Sequence, residues 1–338
     1  IMAYSLVETI RSQFDVRDRK ILALLDQNAR MPHSQVAKEL DISKQGVSYR
    51  INKLKEKGVI GRFLTIFNFR RLGYDAYYVQ LELQGASKKE IKKILDRIGK
   101  QASTVWLLEL YGKSDVLFVI LARSAAEFNS EFKRIVSPFH KFVIDHSHVV
   151  GLDASYGRKN YLPDSPESIY HPNPEIKETN SYKVDSADLA VMKELFENPL
   201  SSVLDISRST KLHHETVAKH IAQLLSENVL LKFTFELNPA VVQYEWHLSY
   251  LQFDLTHVEL EEPLKKWLGV HPNVTFFTDV VGKWNLLIDL HVSDVEHLYQ
   301  LIHGMKEKFG QLIRRYETVR VNRGHKCSFL PEKLFVKK

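Results

Sequence analysis

Two stretches of the chain carry side chains whose types and spacing could do chemistry. Ser43 to Ile60 reads SKQGVSYRINKLKEKGVI, and His213 to Leu230 reads HHETVAKHIAQLLSENVL. In the first, Val47, Ile51 and Leu54 fall at i, i+4 and i+7, the stripe that a helix turns inward. The opposite face then offers Lys44, Gln45, Ser48, Tyr49, Asn52, Lys53 and Lys55, with Arg50 near its edge. A helix of this kind fits a DNA major groove, its N-terminal side chains toward base edges and its lysines toward phosphates. Gln45 can pair with adenine and Lys44 can reach guanine, whereas Lys53, Lys55 and Arg62 are better placed for phosphate. Residues 18–63 hold 10 basic against 5 acidic side chains.

The second stretch keeps the stripe, as Val217, Ile221 and Leu224, and loses the charge. Glu215 stands where the first has Gln45, Ala218 where it has Ser48, and Gln223 where it has Lys53. Residues 188–233 hold 5 basic against 6 acidic side chains. Fewer cations release fewer counterions from DNA, and that release dominates affinity. This helix either reads DNA weakly, through Lys219 and His214, or binds protein instead.

The elements that position these helices are legible as an internal repeat. A shift of 170 positions aligns Asp18 to Val149 with the second half without a net gap: Leu25 falls on Leu195, Asn68 on Asn238, Gly112 on Gly282 and Phe139 on Phe309. Each copy opens with about 45 residues of helical periodicity. In copy one, Ile21, Leu22, Leu24 and Leu25 mark a first helix, Val36, Ala37 and Leu40 a second, and the short turn LDIS leads to the third. Ser43 suits its N-cap and Gly58 its C-terminal stop, with Asn228 the equivalent stop in copy two. A strand pair near residues 59–68 is expected where a wing would sit. The remainder of each copy reads βαββαβ, a ferredoxin-like order, with capping boxes predicted at Ser87-x-x-Glu90, Ser124-x-x-Glu127, Thr256-x-x-Glu259 and Ser293-x-x-Glu296. In the strand VLFVILA, Leu117, Val119 and Leu121 are as apolar as Val116, Phe118 and Ile120 on the other face. The sheet face not covered by helices is therefore expected to pack against the second copy.

The fold class read from this pattern is α+β: two repeats, each a winged helix-turn-helix followed by a ferredoxin-like domain. The boundaries are an N-terminal segment at 1–17, a first winged helix at 18–67 and its ferredoxin-like domain at 68–156. A linker with four prolines follows at 157–184, then the less basic winged helix at 185–237, its ferredoxin-like domain at 238–331 and a basic tail at 332–338. A chain of 338 residues is long enough for several such cores. Its charge is uneven: residues 1–170 hold 27 Lys+Arg against 19 Asp+Glu, the rest 20 against 22. A basic half points to a polyanionic partner. The single cysteine, Cys327, excludes an internal disulfide framework and fits a reducing cytoplasm. No apolar run long enough for a membrane helix is present, and no secretory signal is expected.

The helical unit RKILALLDQNARMPHSQVAKELDISKQGVSYRINKLKEKGVI resembles the winged helix-turn-helix of Lrp/AsnC-type regulators. The stretch GKSDVLFVIL resembles the Gly-x-x-Asp turn of that family's ferredoxin-like sensing domain. The resemblance implies pairing through the sensing domains and amino-acid binding near the turn. Carried onto this chain, the ligand-binding residues would be Gly112, Lys113, Ser114 and Asp115, with Gly282, Lys283, Trp284 and Asn285 as counterparts. A glycine turn can offer backbone N–H groups to a carboxylate, and Asp115 an anion to an ammonium group. Asn285 lacks that charge. Duplication within one chain implies an intramolecular pseudo-dimer with unequal reading heads, which can associate further into a homodimer. The partners expected are double-stranded DNA, an amino acid or other small effector, and transcription machinery, with no membrane. The second helix-turn-helix would recruit that machinery if the protein activates.

Other chemistry is thinly supported. His146-x-His148 places two imidazoles on one strand face without a third ligand, so no metal is expected. No phosphate loop, dinucleotide fingerprint or nucleophile elbow is present, and no cofactor or catalytic residue is expected. The same two-part architecture also serves tetrapyrrole (sirohaem-type) decarboxylases. That alternative would need His and Arg in a pocket between the domains, and Arg123 and His291 stand isolated in the sequence.

Overall fold

The computed structural model describes residues 14–157, 159, 175–177 and 180–335. The most N-terminal residues, most of the linker and the end of the basic tail lie outside that set.

The first winged helix contains α1 (Val16–Gln27), α2 (His33–Leu40) and α3 (Lys44–Glu56), followed by β1 (Ile60–Phe67). Ser43 caps α3 as expected, its hydroxyl accepting from the Gly46 N–H. Gly58 takes φ +70° at the stop, and Asn228 takes φ +52° at the equivalent place. The second winged helix repeats the order as α6 (Ser186–Glu197), α7 (Val203–Thr210), α8 (His214–Ser226) and β7 (Leu230–Leu237).

The expected wing hairpin is not formed. Each copy contributes one strand, and β1 pairs antiparallel with β7 of the other copy. The pairing fuses the two heads. Phe235 and Leu237 of β7 join the core of the first winged helix, and Phe67 of β1 joins the core of the second. Each helical trio is too small to bury its apolar face alone, and the crossed ribbon completes both cores.

The first ferredoxin-like unit runs β2 (Asp75–Leu83), α4 (Lys88–Gly99), β3 (Thr104–Tyr111), β4 (Val116–Ala122), α5 (Ala125–Val136) and β5 (Val143–Ser155). A short strand β6 (Glu175–Ile176) from the linker adds to the end of β5, with Ile176 fully buried. The second unit runs β8 (Glu245–Phe253), α9 (Glu261–Val270), β9 (Val274–Val281), β10 (Leu286–Val292), α10 (Val295–Phe309) and β11 (Ile313–Cys327).

The two units close on each other. The sheet order is β2-β4-β3-β11-β8-β10-β9-β5-β6, and β2 also pairs with β5. Eight strands therefore form a continuous ring, joined by β3–β11 and by β5–β9 across the copies. Closure removes the exposed edges that each unit would present alone. It also buries the face predicted to need cover: Leu117, Val119 and Leu121 share one interior cluster with Leu248, Tyr250 and Leu287 of copy two. Tyr77, Val79, Phe118 and Ile120 face outward under α4 and α5.

The helix starts correct the sequence reading in part. Ser87 and Glu90 form the predicted box. Ser124 caps α5, but the Glu127 carboxylate accepts from the Arg123 N–H instead of the cap. Asp294, one residue beyond the expected Ser293, caps α10. Thr256 caps nothing: Asp254 accepts its N–H and opens a 3₁₀ turn ahead of α9. A shorter carboxylate competes well with Ser or Thr for such N–H groups, and the spacing rule does not register that competitor. The basic tail is docked where described, with Lys333 bonded to Glu127 and Phe335 against Phe196.

Candidate nucleic-acid interface

Helix α3 is held by its buried stripe. Val47, Ile51 and Leu54 are almost wholly enclosed with Ile21, Leu25 and Val36. Its outer face leaves Lys44, Gln45, Tyr49, Asn52, Lys53 and Lys55 exposed, Tyr49 by 66%. Lys53 lies over the Tyr49 ring and Lys55 over the Phe63 ring, at 5.9 and 4.9 Å, which orders both long stems while the charges stay in water.

Three residues expected to contact DNA also bond within the fold. The Arg50 guanidinium donates to Asp15 at 2.6 Å and to Asp18 at 2.7 Å, clamping α3 to the start of α1. Ser48 bonds His33 Nδ1 at 2.8 Å and is half-buried. Arg62, expected to bind phosphate, pairs in the crossed ribbon with Glu236 of β7 and donates to the Cys327 carbonyl. The cause is the same in each case, since a polar partner from another element reaches the side chain first.

His33 was not anticipated. Burial, with Lys44 and Lys55 adding repulsion, holds its imidazole below the ordinary histidine range. It sits at the foot of the exposed basic face through its bond to Ser48.

Helix α8 matches α3 in frame but not in surface. Val217 and Leu224 are fully buried and Ile221 half-buried. His214 and Lys219 are exposed, beside Glu215 rather than among further lysines. The clamp is repeated at the shift of 170: His220 Nδ1 meets Asp188 at 2.7 Å where Arg50 meets Asp18. Asp185, Asp188 and His220 converge closely enough to suggest a cation site. Their atoms are engaged in the cap of α6, the bond from Tyr182 and the histidine clamp. His146 and His148 stack instead on Phe132 and Phe128 of α5.

The two Gly-x-x-Asp/Asn turns serve the joint between the copies. Gly112 and Gly282 take φ of +141° and +142°, and a Cβ on them would press on Val319 and Val149 of the opposite unit. The Asp115 carboxylate accepts from the Leu83 N–H at 2.6 Å, and the Asn285 amide oxygen accepts from the Phe253 N–H at 2.9 Å. The shared task needs only an acceptor oxygen, so Asn replaces Asp there without loss. One oxygen of the carboxylate expected to hold a ligand's ammonium makes this bond. Ser114 and Trp284 are buried; Lys113 is exposed, and Lys283 lies over the Trp284 ring within 3.8 Å of Glu317.

The family model for winged helix-turn-helix DNA-binding matches residues 14–60. An uncharacterized HTH-type transcriptional regulator of Pyrococcus furiosus is 31% identical over 126 residues, 37% of this chain and 83% of that protein. The HTH-type transcriptional regulator LrpA of Pyrococcus horikoshii is 31% identical over 116 residues, 33% of this chain and 79% of LrpA. The chain belongs to the Lrp/AsnC family.

As an Lrp/AsnC member it is two units long, whereas its alignments with these relatives, of 126 and 116 residues, are no longer than one unit. The solved structure of the siroheme decarboxylase NirDL matches both units together, at TM-score 0.62 and 14% identity, covering 94% of this chain and 97% of NirDL. At that identity the likeness is one of fold.

The ring of this Lrp/AsnC chain also forms a cavity of about 190 Å³, open on one side, between one mouth of the barrel and the β1–β7 ribbon. Trp106, Tyr156, Trp246 and Phe276 turn half-buried rings into it, and His291, isolated in the sequence, lines it beside Asp289. Arg123 lies elsewhere, over the Tyr74 ring. At the ribbon side Asp26 is fully buried against Lys159 at 2.5 Å, Lys232 at 3.6 Å and the Thr234 hydroxyl at 2.9 Å. Burial alone would raise its pKa, but the two lysines and the hydroxyl outweigh it and hold the carboxyl well below the usual range.

Proposed function

We propose that the protein is a sequence-specific DNA-binding regulator that reads duplex mainly through α3. The observation that carries this reading is the face of that helix. Lys44, Gln45, Tyr49, Asn52, Lys53 and Lys55 are exposed together on a frame fixed by three buried aliphatics. Lysines there supply phosphate contacts, and Gln45 and Asn52 supply the paired donor and acceptor that read adenine. The crossed ribbon makes α3 and α8 parts of one body, so the protein meets DNA as an asymmetric pair of heads. Such a pair suits a site without two-fold symmetry, since operator symmetry mirrors protein symmetry. The α8 surface serves either a weak second DNA contact or a protein of the transcription machinery. The reading places the protein in the cytoplasm with the DNA it binds, as one chain or as a homodimer of chains, under control of a small effector.

Selection of duplexes from a random pool tests it. Wild-type protein should enrich one motif, and Gln45→Ala should relax one position of that motif, where the bidentate contact is worth about 1–3 kcal/mol of discrimination. Enrichment of no motif would refute sequence-specific reading.

A second reading rests on the fold shared with NirDL and on His291 beside Asp289 in the cavity: decarboxylation of a tetrapyrrole. The 190 Å³ here lies below the range of about 300–1,000 Å³ for pockets of drug-sized ligands, so a tetrapyrrole would have to extend through the cavity's open side. A shift in the absorbance spectrum of sirohaem on mixing with the protein would favour the enzyme.

A further inference from the structure

The repeat allows each cavity residue to be compared with its partner 170 positions away. Asp289 corresponds to Val119, His291 to Leu121, and Trp246 to Ala76. Copy one places aliphatic side chains at these three positions, so the fold does not require a carboxylate or an imidazole there. Copy two nevertheless buries both, at 4% and 6% exposure. Asp289 accepts from Trp246 Nε1 at 2.9 Å and from the Thr275 hydroxyl at 2.6 Å, and lies 3.7 Å from His291 Nε2. Burial pushes the carboxyl up to about 6 despite those bonds, and pushes the imidazole down to about 3. Buried polar groups that packing does not call for are costly, and cavities that carry a few of them among aromatic walls are the usual form of a small-molecule site.

We propose that this cavity is the effector site, and that it takes a planar molecule of one or two fused rings carrying a hydroxyl or a ring N–H. The walls set the ring. Trp106 lies 6.4 Å from Trp246 and 6.2 Å from Phe276, and Tyr156 lies 5.1 Å from Phe276, so the four rings pack into one continuous aromatic wall against which a flat guest can lie. The volume sets the size: a dry cavity of about 150 Å³ accommodates benzene, and 190 Å³ leaves room for little more than a second fused ring and a polar atom. The Asp289–His291 pair sets the polar atom, since a carboxylate accepts and a neutral imidazole either donates or accepts. The site is distinct from the Gly-x-x-Asp turns. It abuts β1 and β7, which enter the cores of both winged helices, so a guest that orders the ribbon acts on both heads. This last step rests on the DNA-binding reading; occupancy of the cavity does not.

Calorimetric titration of the full-length protein with indole and with phenol, without DNA, is the test. Saturable binding with one guest per chain is expected, together with a rise in melting temperature. The double variant Asp289→Val, His291→Leu restores the copy-one residues and should fold while binding phenol at least tenfold more weakly. Val105→Phe, which fills the cavity from β3, should abolish binding of both probes. No binding of either probe at millimolar concentration overturns the proposal, as does binding to the double variant at wild-type strength. Repeating the titration with duplex separates the two readings. A protein that binds indole and no DNA keeps the site and loses the regulator; one that binds DNA and neither probe does the reverse.

Discussion

At the scale of single residues, the side chains that could be named from sequence were those whose roles follow from position on one helix. Lys44, Gln45, Lys53 and Lys55 stand on the outer face because Val47, Ile51 and Leu54 define an inner one, and periodicity alone fixes that. Arg50, Ser48 and Arg62 make bonds that the sequence does not announce, because their partners come from elsewhere in the chain: Asp15 and Asp18, His33, and Glu236. Asp26 gave no signal, since an Asp in a helix looks the same whether solvated or buried; Asp289 shows in the sequence only as a polar break in an apolar strand, at the place where the first copy has Val119. Asp26 yields a sharp prediction. Asp26→Asn leaves Lys159 and Lys232 without their counter-charge, which should cost about 3–5 kcal/mol in urea denaturation at pH 7. Its carboxyl titrates lower in the fold than in the unfolded chain, so its contribution is whole above about pH 4 and drains away as acid approaches the folded value. The gap between wild type and variant should therefore narrow toward pH 3; a gap independent of pH would contradict the ion-pair account. The Asp289→Val, His291→Leu double variant removes two desolvated polar groups but leaves the Trp246 indole N–H and the Thr275 hydroxyl without their acceptor, so by urea denaturation it should lie within about 3 kcal/mol of wild type.

At the scale of elements, the repeat did most of the predictive work. It gave the helix trio and the βαββαβ order in both copies, because apolar spacing is local and survives duplication. It could not give the partner of β1. A single strand with apolar residues on both faces pairs with whatever edge is nearest, and the sequence does not say that the edge belongs to the other copy. The clamp between first and third helices shows the same economy, with Arg50 and Asp18 in one copy and His220 and Asp188 in the other. Arg50→Ala should lower the melting temperature while Lys53→Ala leaves it unchanged, because only the first holds two helices together. If both variants melt alike, the clamp is ornamental. His33 adds a pH effect on the same element. Its imidazole is neutral near pH 7, and phosphate close by would favour the charged form. Duplex affinity should therefore rise as pH falls from 7 to 5.5 in wild type and stay flat in His33→Gln; equal profiles by fluorescence anisotropy would exclude it.

For the whole molecule, closure of two ferredoxin-like units into one eight-stranded ring explains why the chain is duplicated rather than merely long. The apolar inner face of each unit predicted a partner, and that partner is the other copy, held at high effective concentration by the linker. Duplication then frees the copies to diverge. One carries a cationic head, and the other carries a near-neutral head and a polar pair inside the barrel. Charge counts along the sequence made the first divergence visible; the second emerged only when the ring brought β10 opposite Trp106 and Tyr156. The asymmetry of the heads is the claim on which the functional account turns, and the salt dependence of duplex binding measures it most directly. Lys44→Ala with Lys53→Ala should weaken binding and reduce the slope of log K against log salt by about 1 per lysine, whereas Lys219→Ala in α8 should change the slope far less. An unchanged slope in the α3 variant, or a larger loss in the α8 variant, would contradict the account.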